Sequence, residues 1–196
     1  MAIAAATAEA PFKPLPMLPP KVKTQKRKDG SWLIDSAYPL GPMARSIAHL
    51  FEQRAGELPN RKFICQRKLM PDFKLGDWRS ITYGVAITKA SQVAQAMLDR
   101  GMGPDTPVMV LSGNSIEHAV IMLGAMKARV PVAPVSVAYS LFSSDHGKLK
   151  HVFNTCRPKM IFADFGPQFA KALAALPLDG IDVVTVLPAP GLPSIA

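Results

Sequence analysis

The chain has 196 residues, of which 48% are hydrophobic and 19% charged, and its formal net charge is +9. This length and apolar content predict one sizeable core, organised as one α/β domain or subdomain. No apolar run approaches the roughly 20 residues that a membrane-spanning helix needs. The cations are scattered over several segments without interleaved aromatic residues, so we expect no specific nucleic-acid binding.

The first segment, residues 1–31, is predicted to be a disordered basic tail rich in proline and lysine. Five prolines prevent regular strand pairing there, and a run of Lys26, Arg27 and Lys28 favours solvation. The first ten residues lack the basic and long apolar regions of a secretory signal. Cys65 and Cys156 form no zinc-binding spacing, which predicts two buried, reduced thiols in a cytoplasmic protein.

The next segments predict a helix followed by a strand pair. Helical periodicity over residues 46–55 places Ile47, Leu50, Phe51 and Arg54 on one side, and Gly56 with Pro59 ends the helix. Strands are predicted at residues 62–66 and 77–82. The turn-rich linker between them favours an antiparallel pair.

A second helix is predicted over residues 83–100, with Ala86, Ala90, Val93 and Met97 in a narrow stripe and Gly101 as a left-handed cap. The continuous apolar run at 107–112 is typical of a parallel strand that is covered on both faces. Ser115 then caps a helix that is apolar on all sides and reaches Arg129. Gly124 in its middle predicts close backbone packing.

The remaining pattern alternates strand and helix. Inward positions Leu149, Val152, Phe153 and Cys156 mark the helix after the polar loop. The predicted elements are a strand at 132–135, a polar loop at 136–144, a helix from Ser144 and Asp145 to Cys156, a strand at 159–163, a helix at 167–176, a strand at 182–187 and a loop at 188–196. This order predicts an α/β fold of three layers, with a mostly parallel sheet flanked by helices.

Two glycine-containing segments resemble known functional motifs, but their residues and their positions relative to helices and strands do not fit those motifs. Residues 101–103 (GMG) follow a helix instead of a strand, and the third position of a dinucleotide fingerprint is Thr106, so a helix cap is the better interpretation. Residues 113–117 (GNSIE) lie at a strand-to-helix turn, as a nucleophile elbow does. Glu117 replaces the glycine that a tight crossing needs, so Ser115 is interpreted as an N-cap.

The histidines and serines offer weaker signals. His146 and His151 lie off a common helical face, so no metal site is predicted from them, and His118 is interpreted as structural. A polar loop follows the strand at 132–135, where parallel sheets contact ligands. Its members are Ser136, Tyr139, Ser140, Ser143 and Ser144. Internal hydrogen bonding and capping of the next helix is the alternative role.

Four segments together carry a resemblance to a known family. Residues 80–83 (SITY) precede an amphipathic helix, and 108–117 (VMVLSGNSIE) form a strand followed by N-S-x-E. Residues 122–135 (MLGAMKARVPVAPV) and 159–164 (KMIFAD) complete the set. Their order resembles the N-terminal part of the adenylate-forming superfamily of AMP-dependent synthetases and ligases. Arg129 stands where that family usually has glycine.

Within the superfamily, the chain is most similar to feruloyl-CoA synthetases. The segments behind this likeness are 38–40 (YPL), 44–46 (ARS), 134–141 (PVSVAYSL) and 145–149 (DHGKL). The likeness spans about residues 38–187.

The resemblance implies a reaction in two steps. An acid such as ferulate attacks ATP with Mg²⁺ to give an acyl-adenylate and pyrophosphate, and the thiol of CoA then displaces AMP. The family's phosphate loop and catalytic lysine have no counterpart in this sequence. We therefore assign no catalytic, cofactor-binding or metal-binding residue, and we expect ATP, Mg²⁺ and CoA to bind this chain poorly on its own.

The resemblance also implies an incomplete subdomain. Residues 32–187 correspond to a partial N-terminal domain of a ligase, residues 188–196 to a truncated loop, and a C-terminal portion is expected to be missing. We expect the chain alone to be inactive. Two alternatives stay open: a non-catalytic half that docks with a separately encoded remainder, and an unrelated nucleotide-binding α/β domain.

Overall fold

The computed structural model describes residues 19–69, 75–193 and 195. The chain divides into two compact units, Met1–Met43 and Ala44–Ala196, which are described separately below. Most of the tail predicted for residues 1–31 lies outside the described residues, and so do residues 70–74.

The first unit contains an antiparallel hairpin of β1 (Val22–Lys26) and β2 (Trp32–Ser36). Its turn closes with hydrogen bonds from Arg27 N to Ser31 O at 2.8 Å and from Gly30 N to Arg27 O at 3.1 Å. Gly30 has a φ of 87°, a conformation that glycine adopts without a steric penalty. The prediction of an irregular tail up to residue 31 is therefore wrong for residues 22–31, because Asp29 and Gly30 form a hairpin turn.

The second unit begins with α1 (Ile47–Glu57) and an antiparallel pair, β3 (Lys62–Leu69) and β4 (Leu75–Thr82), as predicted. Three aromatic rings join these elements: the centroids of Phe51 and Phe63 are 4.8 Å apart, and those of Phe63 and Tyr83 are 4.9 Å apart. The side of α1 on which the periodicity places Ile47, Leu50, Phe51 and Arg54 is not the buried side, apart from Phe51. The buried residues are Ala48, Phe51 and Ala55, while Ile47 and Leu50 are exposed.

Two long helices pack against each other next: α2 (Tyr83–Asp99) and α3 (Ile116–Lys127). Gly124 is the contact point, because a Cβ there would lie 2.5 Å from Cγ1 of Val93 and 2.9 Å from the carbonyl oxygen of Ala90. Gly101 follows α2 with a φ of 68°, which confirms the predicted helix cap. The dinucleotide-loop interpretation of residues 101–103 is thereby excluded.

The centre of the unit is a parallel sheet of four strands. They are β5 (Val108–Leu111), β6 (Val132–Val135), β7 (Met160–Ala163) and β8 (Asp182–Thr185), in the spatial order β6-β5-β7-β8. Leu111 pairs with Val135 on one side and with Ala163 on the other, so these strands end at one edge. Every residue of β5 is buried, as its continuous apolar run predicts, and every residue of β7 is buried as well.

Successive side chains along each strand point to opposite faces of the sheet, so the strands contribute to two hydrophobic clusters. Met109 and Ile161 face the side packed by α5 (Gly147–Cys156) and α6 (Gly166–Ala174). Val110 and Phe162 face the side packed by α2 and α3. This arrangement confirms the predicted layers of helix, sheet and helix.

Two predicted loops contain regular structure. The first, 136–144, includes the short helix α4 (Val137–Leu141), because Tyr139 N donates to Ser136 O and Phe142 N to Ala138 O. In the second, Ile195 pairs with β8 in parallel: Ile195 N donates to Val183 O, and Thr185 N donates to Ile195 O, each at 2.8 Å. Within the described residues, no helix is both long and apolar enough to cross a membrane.

Candidate strand-end site

The carboxyl ends of β5 and β7 bring polar side chains together. Ser112 follows β5 and Asp164 follows β7, and these two strands are neighbours. The Ser112 hydroxyl lies 2.8 Å from Oδ2 of Asp164 and 2.7 Å from the carbonyl oxygen of Gly113. Parallel α/β sheets hold their ligands at this edge, so it is the first place to look for a site.

Asp164 has the most unusual electrostatic environment of the site. Burial raises the pKa of its carboxyl above the usual 3.8, and the nearby charge of Glu117 acts in the same direction. Hydrogen bonds from the hydroxyls of Ser112 and Ser115 and from the backbone at Phe165 oppose this rise without cancelling it. Asp164 is therefore a half-buried carboxyl that takes up a proton more readily than an exposed aspartate does.

A second group of side chains ties the β3–β4 pair to α3. Arg79 on β4 donates to both carboxylate oxygens of Glu117, at 2.6 and 2.5 Å, and to Oε1 of Gln66 at 2.5 Å. Oε1 of Gln66 also accepts from Ile116 N at 3.0 Å. The first turn of α3 is thus held by side chains from β3 and β4. We call Arg79, Glu117 and Gln66 the arginine clamp.

The arginine clamp shifts both of its charged groups towards their ionised forms. Hydrogen bonding from Arg79 lowers the pKa of Glu117, and the same bonds raise the pKa of Arg79. Bidentate geometry between a guanidinium and a carboxylate strengthens such a pair. About a third of each side chain is exposed, 37% for Arg79 and 28% for Glu117, so water screens part of the attraction.

Ser115 acts as the predicted N-cap. Its hydroxyl accepts from His118 N at 2.9 Å. The Nδ1 atom of His118 lies 3.0 Å from the carbonyl oxygen of Gly113. Because a carbonyl oxygen only accepts, this contact places the ring proton on Nδ1. Both bonds are local to the start of α3, which supports structural roles for Ser115 and His118.

A groove of about 400 Å³ runs between β3 and α3 beside the clamp. Its polar lining residues are Cys65, Gln66, Asn114, Ser115 and His118. Cys65 is exposed and Cys156 half-buried, so the prediction of two buried thiols is wrong for Cys65. The reason is that β3 belongs to a two-stranded pair with one side open to solvent.

The polar loop after β6 mainly serves the next helix. The Ser143 hydroxyl accepts from His146 N at 3.0 Å, and Asp145 accepts from Gly147 N at 3.1 Å. Ser140 is buried, and its hydroxyl has no hydrogen-bond partner among the described residues. The bonds that Ser143 and Asp145 accept are local to the start of α5, which agrees with internal hydrogen bonding as one role of the loop. His146 is the left-handed residue before α5.

The charged side chains at the strand-end site are engaged with one another, and no cluster of metal ligands lies among the described residues. No group of three or more His, Cys, Asp or Glu side chains converges within the ranges that the structure covers. The guanidinium of Arg79 already donates to three acceptor atoms of Glu117 and Gln66. The strand-end site is therefore suited to positioning the loop at 112–117. It holds two carboxyls with shifted pKa values, lowered at Glu117 and raised at Asp164.

Sequence reasoning missed Arg79 and Asp164 as partners of this site. Arg79 lies 38 positions from Glu117, and Ser112 lies 52 positions from Asp164. The available signal was positional, since Ser112 and Asp164 each follow a buried strand. That signal identifies a pair only when the two strands are known to be neighbours.

A protein-family model and curated relatives match this chain in sequence. Residues 51–193 match the model of the family described as AMP-binding enzyme. The chain is 30% identical over 95 residues to tyrocidine synthase 1 of Brevibacillus parabrevis, a match that covers 48% of this chain and 8% of that protein.

Solved structures show the same fold. A fatty acid AMP ligase from Legionella pneumophila superposes with a TM-score of 0.58 at 16% identity, over 72% of this chain and 23% of that one. Klebsiella oxytoca NpsA, in complex with 3-hydroxyanthranilyl-AMSN, gives a TM-score of 0.55 at 17% identity, over 74% of this chain and 25% of that one. The chain thus spans about a quarter of the solved chains and less than a tenth of the first curated relatives. Because the family model covers most of its length, the chain belongs to the AMP-binding enzyme family.

Proposed function

We propose that this chain supplies the N-terminal scaffold of an AMP-forming carboxylate–CoA ligase of the feruloyl-CoA synthetase type and is inactive on its own. In the complete enzyme, ATP and an aryl acid form an acyl-adenylate and pyrophosphate. The thiolate of CoA then attacks the acyl carbon, and AMP leaves. The finer assignment rests on segments such as 134–141 (PVSVAYSL) and 145–149 (DHGKL), and we place the enzyme in the cytoplasm.

The proposal rests on the hydrogen bonds among the polar side chains at the strand-end edge of the sheet. The arginine clamp and the bond from Ser112 to Asp164 engage the polar groups there with each other. Phosphoryl chemistry needs donors or cations aimed at developing negative charge. Arg79 is the cation of this cluster, and Glu117 together with Gln66 occupies its donors. A scaffold role agrees with such a closed set of contacts.

The same geometry is a poor fit for ATP and Mg²⁺. A magnesium site uses carboxylates with free oxygen atoms together with phosphate oxygens. Both oxygens of Glu117 accept from Arg79, and Oδ2 of Asp164 accepts from Ser112. In this proposal, therefore, no residue of this chain takes part in a chemical step. Their role is to hold the β5–α3 loop and the sheet beneath it.

A pyrophosphate-release assay tests the proposed inactivity. The purified chain is incubated with ATP, Mg²⁺, CoA and ferulate, and the omission of ferulate serves as the control. We expect the same background rate in both samples. Ferulate-dependent release well above that background refutes the proposed inactivity.

A second candidate function is that of a non-catalytic half that docks with a separately encoded remainder. Its support is an exposed apolar set on the second unit: Ile47 at 67%, Trp78 at 65% and Phe142 at 82%. Co-expression with the coding sequence immediately downstream tests this role. Co-purification together with ferulate-dependent pyrophosphate release is the expected result, and a pair that neither associates nor reacts refutes it.

A further inference from the structure

The β1–β2 hairpin carries an apolar side that nothing within the described residues covers. Cross-strand partners share a side of a hairpin, and Lys26 pairs with Trp32 while Thr24 pairs with Ile34. Alternation adds Val22 to the same side. Val22, Trp32 and Ile34 are 61%, 61% and 67% exposed. We call the side that holds these three residues the hairpin face.

The hairpin is also strongly basic. Residues 19–38 contain five cations against two carboxylates, and residues 19–36 are all exposed. The cations are Lys21, Lys23, Lys26, Arg27 and Lys28. The carboxylate of Asp29 accepts from the backbone and the hydroxyl of Ser31, which lowers its pKa and keeps it ionised. With five cations and two carboxylates, residues 19–38 carry a formal charge of +3.

We propose that the hairpin face docks on an anionic lipid surface. Tryptophan favours the boundary between headgroups and acyl chains, and a small apolar face surrounded by cations binds there by burial and by charge. A two-stranded hairpin is marginally stable alone in water, so a surface that covers one of its sides also stabilises it. The proposal concerns the first unit and does not depend on any ligase activity.

Two other occupants suit the hairpin face less well. Specific protein interfaces bury about 800 Å² per partner, more than three side chains supply. Single-stranded nucleic acids stack their bases on open aromatic rings. Here Nζ of Lys26 lies 5.8 Å from the centre of the Trp32 ring and covers one of its faces. An anionic lipid surface uses both the cations and the apolar side chains.

Vesicle sedimentation with the intact chain tests the charge requirement. We expect binding to vesicles of equal parts phosphatidylcholine and phosphatidylglycerol, and little binding to phosphatidylcholine alone. The triple variant Lys26→Glu, Arg27→Glu, Lys28→Glu should weaken binding about tenfold or more, since each cation near such a surface strengthens binding severalfold. The matched control is Lys62→Glu, Lys150→Glu, Lys171→Glu, three exposed positions in the second unit. Equal losses in the two triples indicate attraction by net charge alone and overturn the proposal.

Trp32 fluorescence tests which side of the hairpin enters the lipid. In the Trp78→Phe background, Trp32 is the remaining tryptophan, and its emission should shift to the blue with anionic vesicles. Ile34→Thr, on the hairpin face, should weaken binding, while Leu33→Thr, on the opposite side, should leave binding unchanged. An unshifted emission, or equal losses in the two variants, overturns the assignment of this face.

Discussion

The parallel sheet and the β1–β2 hairpin both have regular backbone pairing, and they differ in burial. Every residue of β5 and β7 is buried, whereas every residue of β1 and β2 is exposed. Removal of apolar surface from water is the main stabilising term in folding. The sheet is therefore stabilised by side-chain packing on two faces, while the hairpin depends on its turn and its local pairing.

An isoleucine in each region provides the sharpest contrast. Ile161 in β7 is 0% exposed, and Ile34 in β2 is 67% exposed. We expect Ile161→Ala to lower the free energy of unfolding by about 2–5 kcal/mol through lost burial and a new cavity. Ile34→Ala should change the free energy of unfolding by about 0.5 kcal/mol or less. Urea unfolding followed by circular dichroism measures both, and similar losses in the two variants contradict the contrast.

The helix layer on the sheet gives the next largest expected effect. Gly124→Ala places a Cβ against Val93 and Ala90, so overpacking should destabilise the fold by about 1–3 kcal/mol. Gly56→Ala in α1 is the matched control, because a Cβ there meets nothing within 4 Å. The control should stabilise the protein by about 0.5–1 kcal/mol through lower chain entropy. Thermal denaturation reports the two signs, and a stabilising Gly124→Ala indicates that α2 and α3 pack less closely.

The arginine clamp should contribute a smaller, pH-dependent amount. We expect Glu117→Gln to destabilise by about 1 kcal/mol, a value already reduced for partial exposure. Because the pKa of Glu117 is lowered, its contribution is present above the usual value of 4.5 and is lost as pH falls through the lowered pKa.

Glu57→Gln is the control for the clamp, since Arg54 and Glu57 form an ion pair in which both side chains are 56% exposed. Unfolding curves at neutral and acidic pH distinguish the two pairs. The difference between wild type and Glu117→Gln should vanish at acidic pH. A difference that persists there shows that the loss comes from packing instead of ionisation.

A backbone effect of similar or smaller size is expected just after α3. Arg129 has a φ of 60°, where a side chain is strained, and the resemblance places a glycine at this position. Arg129→Gly should therefore stabilise the fold by about 0.5–1 kcal/mol. Gly101→Ala, at a φ of 68°, should destabilise it by a similar amount. Matching signs in the two melting curves contradict this explanation.

The smallest expected effect concerns Asp164. Since burial raises its pKa, wild-type stability falls as pH rises from about 3.8 through the raised value. Asp164→Asn should flatten that fall, because an amide does not titrate in this range. Its oxygen can still accept from Ser112, so the local contact is kept. Asp145→Asn is the control of opposite sign, since hydrogen bonds lower the pKa of Asp145 and it stabilises the fold above 3.8. Identical pH profiles for the two variants contradict the assignment.

Much of the second unit was predictable because burial leaves periodic patterns in sequence. Runs of apolar residues predict the strand β5 and the helix α3. A glycine in the middle of that helix, Gly124, predicts the close approach of its neighbour. The inward face of α1 was not, because Ala48 and Ala55 pack inward where Ile47 and Leu50 have the larger side chains. A hydrophobicity scale favours large apolar side chains such as Ile and Leu over Ala. It does not reveal which side of α1 meets the neighbouring helix.

The hairpin and the strand-end site were harder to predict for other reasons. β1 has two lysines and no buried residue, so its sequence shows no apolar alternation. The site depends on strand order, since Ser112 meets Asp164 only because β7 lies next to β5. Arg79 and Glu117 each look like ordinary surface charges in sequence. Their pairing is a tertiary contact that one sequence does not encode locally.

The scaffold role is tested most directly by ATP–pyrophosphate exchange, which detects the first half-reaction without CoA. The purified chain is supplied with ATP, Mg²⁺, labelled pyrophosphate and ferulate, beside a heat-denatured sample. A scaffold without chemistry predicts that label enters ATP at the same background rate in both samples. Ferulate-dependent exchange by the folded chain, absent after denaturation, contradicts the scaffold role and locates adenylate-forming chemistry within these 196 residues.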